Sequence, residues 1–189
     1  MGTAEGLARQ FASGLKNSGR ALASGIPGFD EGMWGVAQGG ADLISCYVTA
    51  PMAGTILPED PFGRMSEYFN RQRLASKATR EAWMPQVDGN LSGGWYSGLQ
   101  SLSQNLLTLP MAALAGNPSL ALMPMSATTG GQSYGQARDK GVDVPHSLAF
   151  AGSQAAIEYA TEKIPVSWLL RDLKAGTGFA KMLAHQATL

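Results

Sequence analysis

The sequence predicts an all-α protein, an irregular bundle of about six helices that includes a charge-free antiparallel helical hairpin. Three observations lead there. Helix start and stop signals recur along all 189 residues while strand alternation is nearly absent. Charged residues make up only 15% of the chain, with 44% hydrophobic residues and 24 glycines, so long stretches have to be buried in something. Charge is also unevenly placed: residues 89–137 carry none, and residues 32–58 carry only Asp42.

Taken in order, Leu7, Phe11, Leu15 and Leu22 mark a first amphipathic helix that ends near Gly25-Ile26-Pro27. Phe29, Met33, Val36, Gly40, Leu43, Ile44 and Val48 carry a second as far as Ala50, where Pro51 breaks or kinks it. The connector LPEDPFG contains two prolines and leads into RMSEYFNRQRLASKATREAW, residues 64–83. There Met65, Tyr68, Phe69, Ala75, Ala78, Ala82 and Trp83 fall at roughly helical spacing beside Arg64, Arg71, Arg73, Lys77 and Arg80. That is a basic amphipathic helix, and those five cations are its expected contacts to an anionic surface, lipid or nucleic acid; a solvated helix face is the plainer account.

The turn-rich stretch 85–93 separates an N-terminal helical unit, 1–84, from a glycine- and alanine-rich unit, 94–189. The second unit opens with helices over 94–115 and 118–138. Gly116 ends the first, Asn117 caps the second and Pro118 occupies its first position. Asp143-Val144-Pro145 restarts the chain as a helix over 144–164, and a last helix begins after Pro165. It runs through AKMLAHQATL with no stop signal, so the chain reads as an excerpt of a longer one.

Small residues recur at four-residue spacing in the pairs Gly35 and Gly39, Gly94 and Gly98, and Gly131 and Gly135. Each glycine costs about 1 kcal/mol of helix propensity against alanine. The compensation is a stripe without side chains, on which a neighbouring backbone can lie closely. These six are the expected helix-packing residues, inside a bundle or between copies. The hairpin is interrupted by Ser101, Gln104, Asn105 and Asn117, so it is not a permanent membrane span; its uncharged polar groups would still enter a bilayer far more cheaply than charges.

Catalytic chemistry finds little support. His146 and His185 lie far apart and Cys46 is the only cysteine, so no zinc spacing occurs and no metal or cofactor is expected. A nucleophile elbow needs a strand before its serine, and no strand is predicted. No phosphate loop is present, and the N-terminus has glycines and charges where a signal peptide needs an unbroken apolar run. Glu158 and Glu162 stand one helical turn apart and could shift one another's pKa, with Glu158 as an acid, yet no companion group completes a site.

The stretch GGQSYGQARDKGVDVPHSLAFAGSQAAIEYATEKIP, residues 130–165, resembles segments of very large bacteriophage virion proteins of the internal-core, DNA-ejection type. The likeness lies in a Gly/Ser/Tyr helix closed by a charged turn, a Pro-started Gly/Ala/Ser helix, and Ile-Glu-x-x-Thr-Glu-x-Ile-Pro. It implies a structural protein of the virion interior, ejected with the genome and reassembled in the host envelope as a helical conduit for DNA. It also implies partners: further copies, other virion proteins, membrane lipid and the DNA backbone. A peptidoglycan-cleaving module using Glu158, or a soluble scaffold bundle, are the alternatives.

Overall fold

The computed structural model describes residues 4–84, Asn117 and 119–174, together with the helical positions Tyr96, Leu99, Gln100, Ser103, Gln104, Leu107 and Thr108. Among these residues there is no strand, and the fold is all-α. Four helices account for it: α1 (Ala4–Ile44), α2 (Pro61–Trp83), α3 (Ser119–Asp139) and α4 (Val144–Lys174). A single π-helical turn, Ser45–Thr49, and a 3₁₀ turn, Ala50–Met52, extend α1 toward the loop before α2.

Among the described residues the count is lower than the expected six for two reasons: two expected breaks do not occur, and the first arm of the hairpin lies mostly outside those residues. Pro27 lies inside α1, and α4 continues across position 165. A proline in a helix interior removes one hydrogen bond and costs about 3 kcal/mol, which argued for a stop at both places. At Pro27 tertiary packing overrides the propensity. Gly25 and Gly28, on either side of it, leave no room for a side chain, because a Cβ on Gly25 would meet the Gln100 carbonyl oxygen at 2.8 Å and one on Gly28 would meet Gln100 Nε2 at 3.0 Å. Gln132 Nε2 also donates to the Gly28 carbonyl at 2.6 Å. The first arm of the hairpin and its glycines, Gly94 and Gly98, lie outside the described residues except at the seven positions named above.

Local chemistry sets the ends. Asp60 caps α2, accepting from the Phe62 and Gly63 amides at 3.1 and 3.0 Å, with Pro61 at the first helical position as the fixed φ of proline favours. Asn117 caps α3, its Oδ1 accepting from the Ser119 amide at 3.0 Å. At the far end Gly141 adopts φ +79°. The Val142 amide donates to the Ala137 carbonyl and the Gly141 amide to the Arg138 carbonyl, the pairing of a glycine-terminated helix. Asp143 then starts α4 by accepting from the His146 amide at 3.0 Å.

α1 is the axis, about 60 Å long at 1.5 Å per residue. It packs against α2 on one side and α3 on another, while α4 lies on α3. The α1/α2 pair is antiparallel: Glu31 reaches Arg80, Gln38 reaches Arg73 and Asp42 reaches Ser66. The α1/α3 pair runs parallel, with Gly32 against Thr128 and Gly35 against Gly131.

Candidate functional site

The three flanks of α1 are made of different residues. Toward α2 it presents carboxylates, amides and hydroxyls. Glu31 is 1% exposed; one carboxylate oxygen accepts from Arg80 Nε at 2.7 Å and the other, Oε1, has no hydrogen-bond partner among the described residues. Burial pushes its pKa up, against the pull of the Arg80 cation beside it. Arg73 is 0% exposed. Its guanidinium donates to Gln38 Oε1 at 3.1 Å, to Asn70 Oδ1 at 2.7 Å and, from two nitrogens, to both oxygens of Asp139. Lys77 adds a second cation on Asp139 at 3.0 Å. Burial works against the charged Asp139 carboxylate, but these donors outweigh it and hold its pKa below the ordinary 3.8.

Farther along the same seam Ser76 donates to Asp30, Ser66 to Asp42, and both Ser45 and Thr49 to Asp60. The last two hydroxyls, with the Gly63 and Phe62 amides, keep the Asp60 pKa low. Tyr134 of α3 donates to the second oxygen of Asp42, and burial together with that carboxylate raises the phenol pKa. Trp34, Tyr68 and Phe69 supply the apolar part of the α1/α2 contact, Trp34 stacking on Phe69 with ring centroids 5.9 Å apart.

Toward α3 the contact is backbone on backbone. A Cβ on Gly35 would stand 2.9 Å from the Gly131 Cα, and one on Gly131 would stand 2.8 Å from the Val36 amide nitrogen, with still closer clashes against carbonyl oxygens. Gly131 and Gly35 therefore pack on each other inside one chain. Their companions do different work. Gly135 makes room for the Arg73 side chain, whose Cδ would lie 2.7 Å from an added Cβ, and Gly39 makes only ordinary contact with Leu148 and Tyr134.

The third flank faces solvent, and it is the apolar one. Ile26 is 60% exposed and Tyr47 62%, with Met33, Val36, Leu43, Ile44 and Val48 also open. Met33, Val36, Leu43, Ile44 and Val48, five of the residues whose spacing marked the helix expected over 29–50, are thus on the outer face of α1 and the turn that follows it, while Ser24, Glu31 and Gln38 are buried. Where this face meets α4 there is an apolar groove of about 310 Å³ floored by glycine and alanine, with Val36 and Gly40 on the α1 side and Leu148, Ala151 and Gly152 on the α4 side. A second cleft, about 570 Å³, opens between Ile26, Phe29 and Leu107 on one side and Ala75 and Thr79 on the other.

The expected anionic-surface helix is corrected in the same way. Arg73 is buried, and Lys77 and Arg80 are spent on Asp139 and Glu31. Arg64 and Arg71 remain exposed, the first paired with Glu59 at 2.7 Å and the second bonded to the Glu67 carbonyl of its own helix. The physical reason is that charge-poor helices of this bundle need a polar partner to set their register, and α2 supplies it from the face that sequence reading assigned to solvent.

Chemically, the polar seam can fix and neutralise charge. Neither groove is lined by Glu31. No group of three or more potential metal ligands occurs among the described residues. Glu158 is half-buried on α4, and the side chain of Glu162 lies outside the described residues. Gly131-Gln132-Ser133-Tyr134-Gly135 has the G-x-S-x-G spelling of a nucleophile elbow, which sequence reading passed over. It lies within a continuous helix, without the strand-to-helix turn that exposes such a serine. No helix of the described residues is long and apolar enough to cross a membrane. Comparison with protein-family models, with curated proteins and with solved structures finds no match for this chain.

Proposed function

We propose that this chain is a structural subunit of a larger helical assembly, of the kind that bacteriophages carry inside the virion, eject with the genome and rebuild in the host envelope as a conduit for DNA. The observation that carries the reading is the outward apolar face of α1. A helix that buries Glu31, Gln38 and Ser24 while exposing Met33, Val36, Leu43 and Tyr47 has its apolar side turned toward a partner. Contiguous exposed apolar surface of this kind marks interaction sites. The resemblance of residues 130–165 to ejected virion proteins supplies the type of assembly, and of the five basic residues of α2 it is Arg64 and Arg71 that stay exposed toward a DNA backbone or anionic headgroups.

The partners on this reading are further copies, other virion proteins, and lipid of the envelope. Light scattering over a range of concentrations, paired with flotation on anionic and on zwitterionic vesicles, tests it. Mass above that of one chain, with vesicle binding that grows with anionic lipid, is the expected result. A monomer at every concentration that floats with no vesicle would remove both the assembly and the envelope parts of the reading.

A further inference from the structure

The outer face of α1 has a period that identifies its partner. From Leu22 to Tyr47 the outward residues, together with the half-buried Leu22 and Phe29, are spaced alternately four and three apart, the heptad spacing of a coiled-coil seam. One set of positions, seven apart, is Ile26, Met33, Gly40 and Tyr47; the other is Leu22, Phe29, Val36 and Leu43. The seam runs about 38 Å at 1.5 Å per residue. Ile26, Met33, Val36, Leu43 and Tyr47 are 43–62% exposed, and a Cβ on Gly40 would meet nothing within 4 Å.

We infer that the seam is occupied by α1 of a second copy, lying antiparallel across a two-fold axis near Met33 and Val36. Three features select this arrangement. An isologous contact requires that residue i meet j while j meets i, and here the antiparallel register satisfies it in every layer: Leu22 meets Tyr47, Ile26 meets Leu43, Phe29 meets Gly40, and Met33 meets Val36. The layers are also complementary in size. The phenyl ring of Phe29 stands opposite the open space at Gly40, where a parallel pairing would set Gly40 on Gly40 and leave a void.

Charge agrees with self-pairing as well. Between Leu22 and Tyr47 the charges are Asp30, Glu31 and Asp42, and all three carboxylates are turned to donors of their own chain, Ser76, Arg80, and Ser66 with Tyr134, so the face meets its own copy without repulsion. The groove beside Gly40 and Gly152 widens the contact beyond the single helix, toward the roughly 800 Å² per partner of a stable interface.

The inference rests on the assembly reading above, and the test separates the two. In a Cys46→Ser background, Ile26→Cys and Leu43→Cys chains with different tags are treated with a short bismaleimide, each alone and after co-expression. The antiparallel seam links the two different chains and neither chain to itself. Self-linking of Ile26→Cys would overturn the orientation. Oligomers that persist with no link in any sample would overturn the seam and leave the assembly standing, whereas a wild-type monomer would overturn both. As an independent arm, Met33→Glu, an exposed position in the free subunit, is expected to reduce the mass to that of one chain with an unchanged helical spectrum. Retention of the wild-type mass would count against the seam.

Discussion

α1 meets α2 and α3 by opposite means. Against α2 it uses a ladder of directional contacts, in which Glu31, Gln38 and Asp42 each find a named partner, continued by Ser45 and Thr49 of the following turn on the α2 cap Asp60. Against α3 it uses near-contact of two backbones at Gly32, Gly35 and Gly131. A polar ladder fixes register, because sliding by one residue leaves buried charges unpaired. A glycine contact fixes distance, since dispersion at close range has little directional preference. The bundle needs both, and substitutions in each seam should fail for different reasons.

The largest effect is expected in the polar seam. Arg73→Met keeps most of the buried volume but leaves Asp139 without its two-pronged donor and Gln38 Oε1 without a proton to accept. Breaking a buried pair from one side costs about 3–5 kcal/mol, measured as a shift in the urea midpoint. Arg73→Lys should recover only part, because an ammonium cannot reproduce the planar fork. Full stability in either variant would mean that the seam carries no specific pairing.

The glycine seam comes next. Gly131→Ala adds a methyl group where the Val36 amide and the Gly32 carbonyl already stand, so α1 and α3 must part. The expected loss is about 3 kcal/mol, at the upper end of overpacking, even though alanine gains about 1 kcal/mol in helix propensity. Equal stability of wild type and variant would show that the two backbones do not approach as described.

The all-α class was legible in the sequence because it rests on punctuation that needs no tertiary information. The helix expected over 64–83 is Pro61–Trp83, and that over 118–138 is Ser119–Asp139, with Asn117 capping as its position implied. Spacing paired Gly35 with Gly39 and Gly131 with Gly135; the approach of Gly35 to Gly131 joins two helices that no spacing within one helix relates. What could not be read was which face of α1 is inside. A hydrophobic stripe is ordinarily a core stripe, and only the glycines at 25, 28, 32 and 35 hint that neighbours occupy the other flank. The same ambiguity misplaced Arg73, Lys77 and Arg80, whose partners Asp139 and Glu31 lie 49 or more residues away in sequence. The break expected at Pro27 shows a local cost overruled by contacts that no local window contains.

A smaller effect, and one with a distinct pH signature, is expected at Glu31. Its folded pKa is raised above the ordinary 4.5 by burial. Stability linked to it is therefore fully present below pH 4.5 and is lost as pH rises through the folded value. Asp60, Asp139 and Asp143 are shifted the other way: their contribution is present above the ordinary 3.8 and is lost as pH falls through their depressed values. Glu31→Gln should change stability at neutral pH by about 1 kcal/mol or less, since one oxygen already lacks a partner. It should flatten the pH dependence above 4.5 while leaving the loss below 3.8 in place. Urea midpoints at half-unit pH steps would detect this, and an unaltered slope above 4.5 would place Glu31 outside the linkage.

The smallest effect tests the glycine seam by contrast within the same helix. Gly19 lies in α1, exposed, with nothing within 4 Å of an added Cβ. There the propensity term acts alone, and Gly19→Ala should stabilise the protein by about 0.5–1 kcal/mol, opposite in sign to Gly131→Ala. The two thermal midpoints, compared on one wild-type reference, separate glycine retained for close approach from glycine that the fold merely tolerates. If Gly19→Ala destabilised the protein instead, the open flank of α1 near its N-terminal end would have to be covered, and the apolar seam that begins at Leu22 would extend one heptad further back.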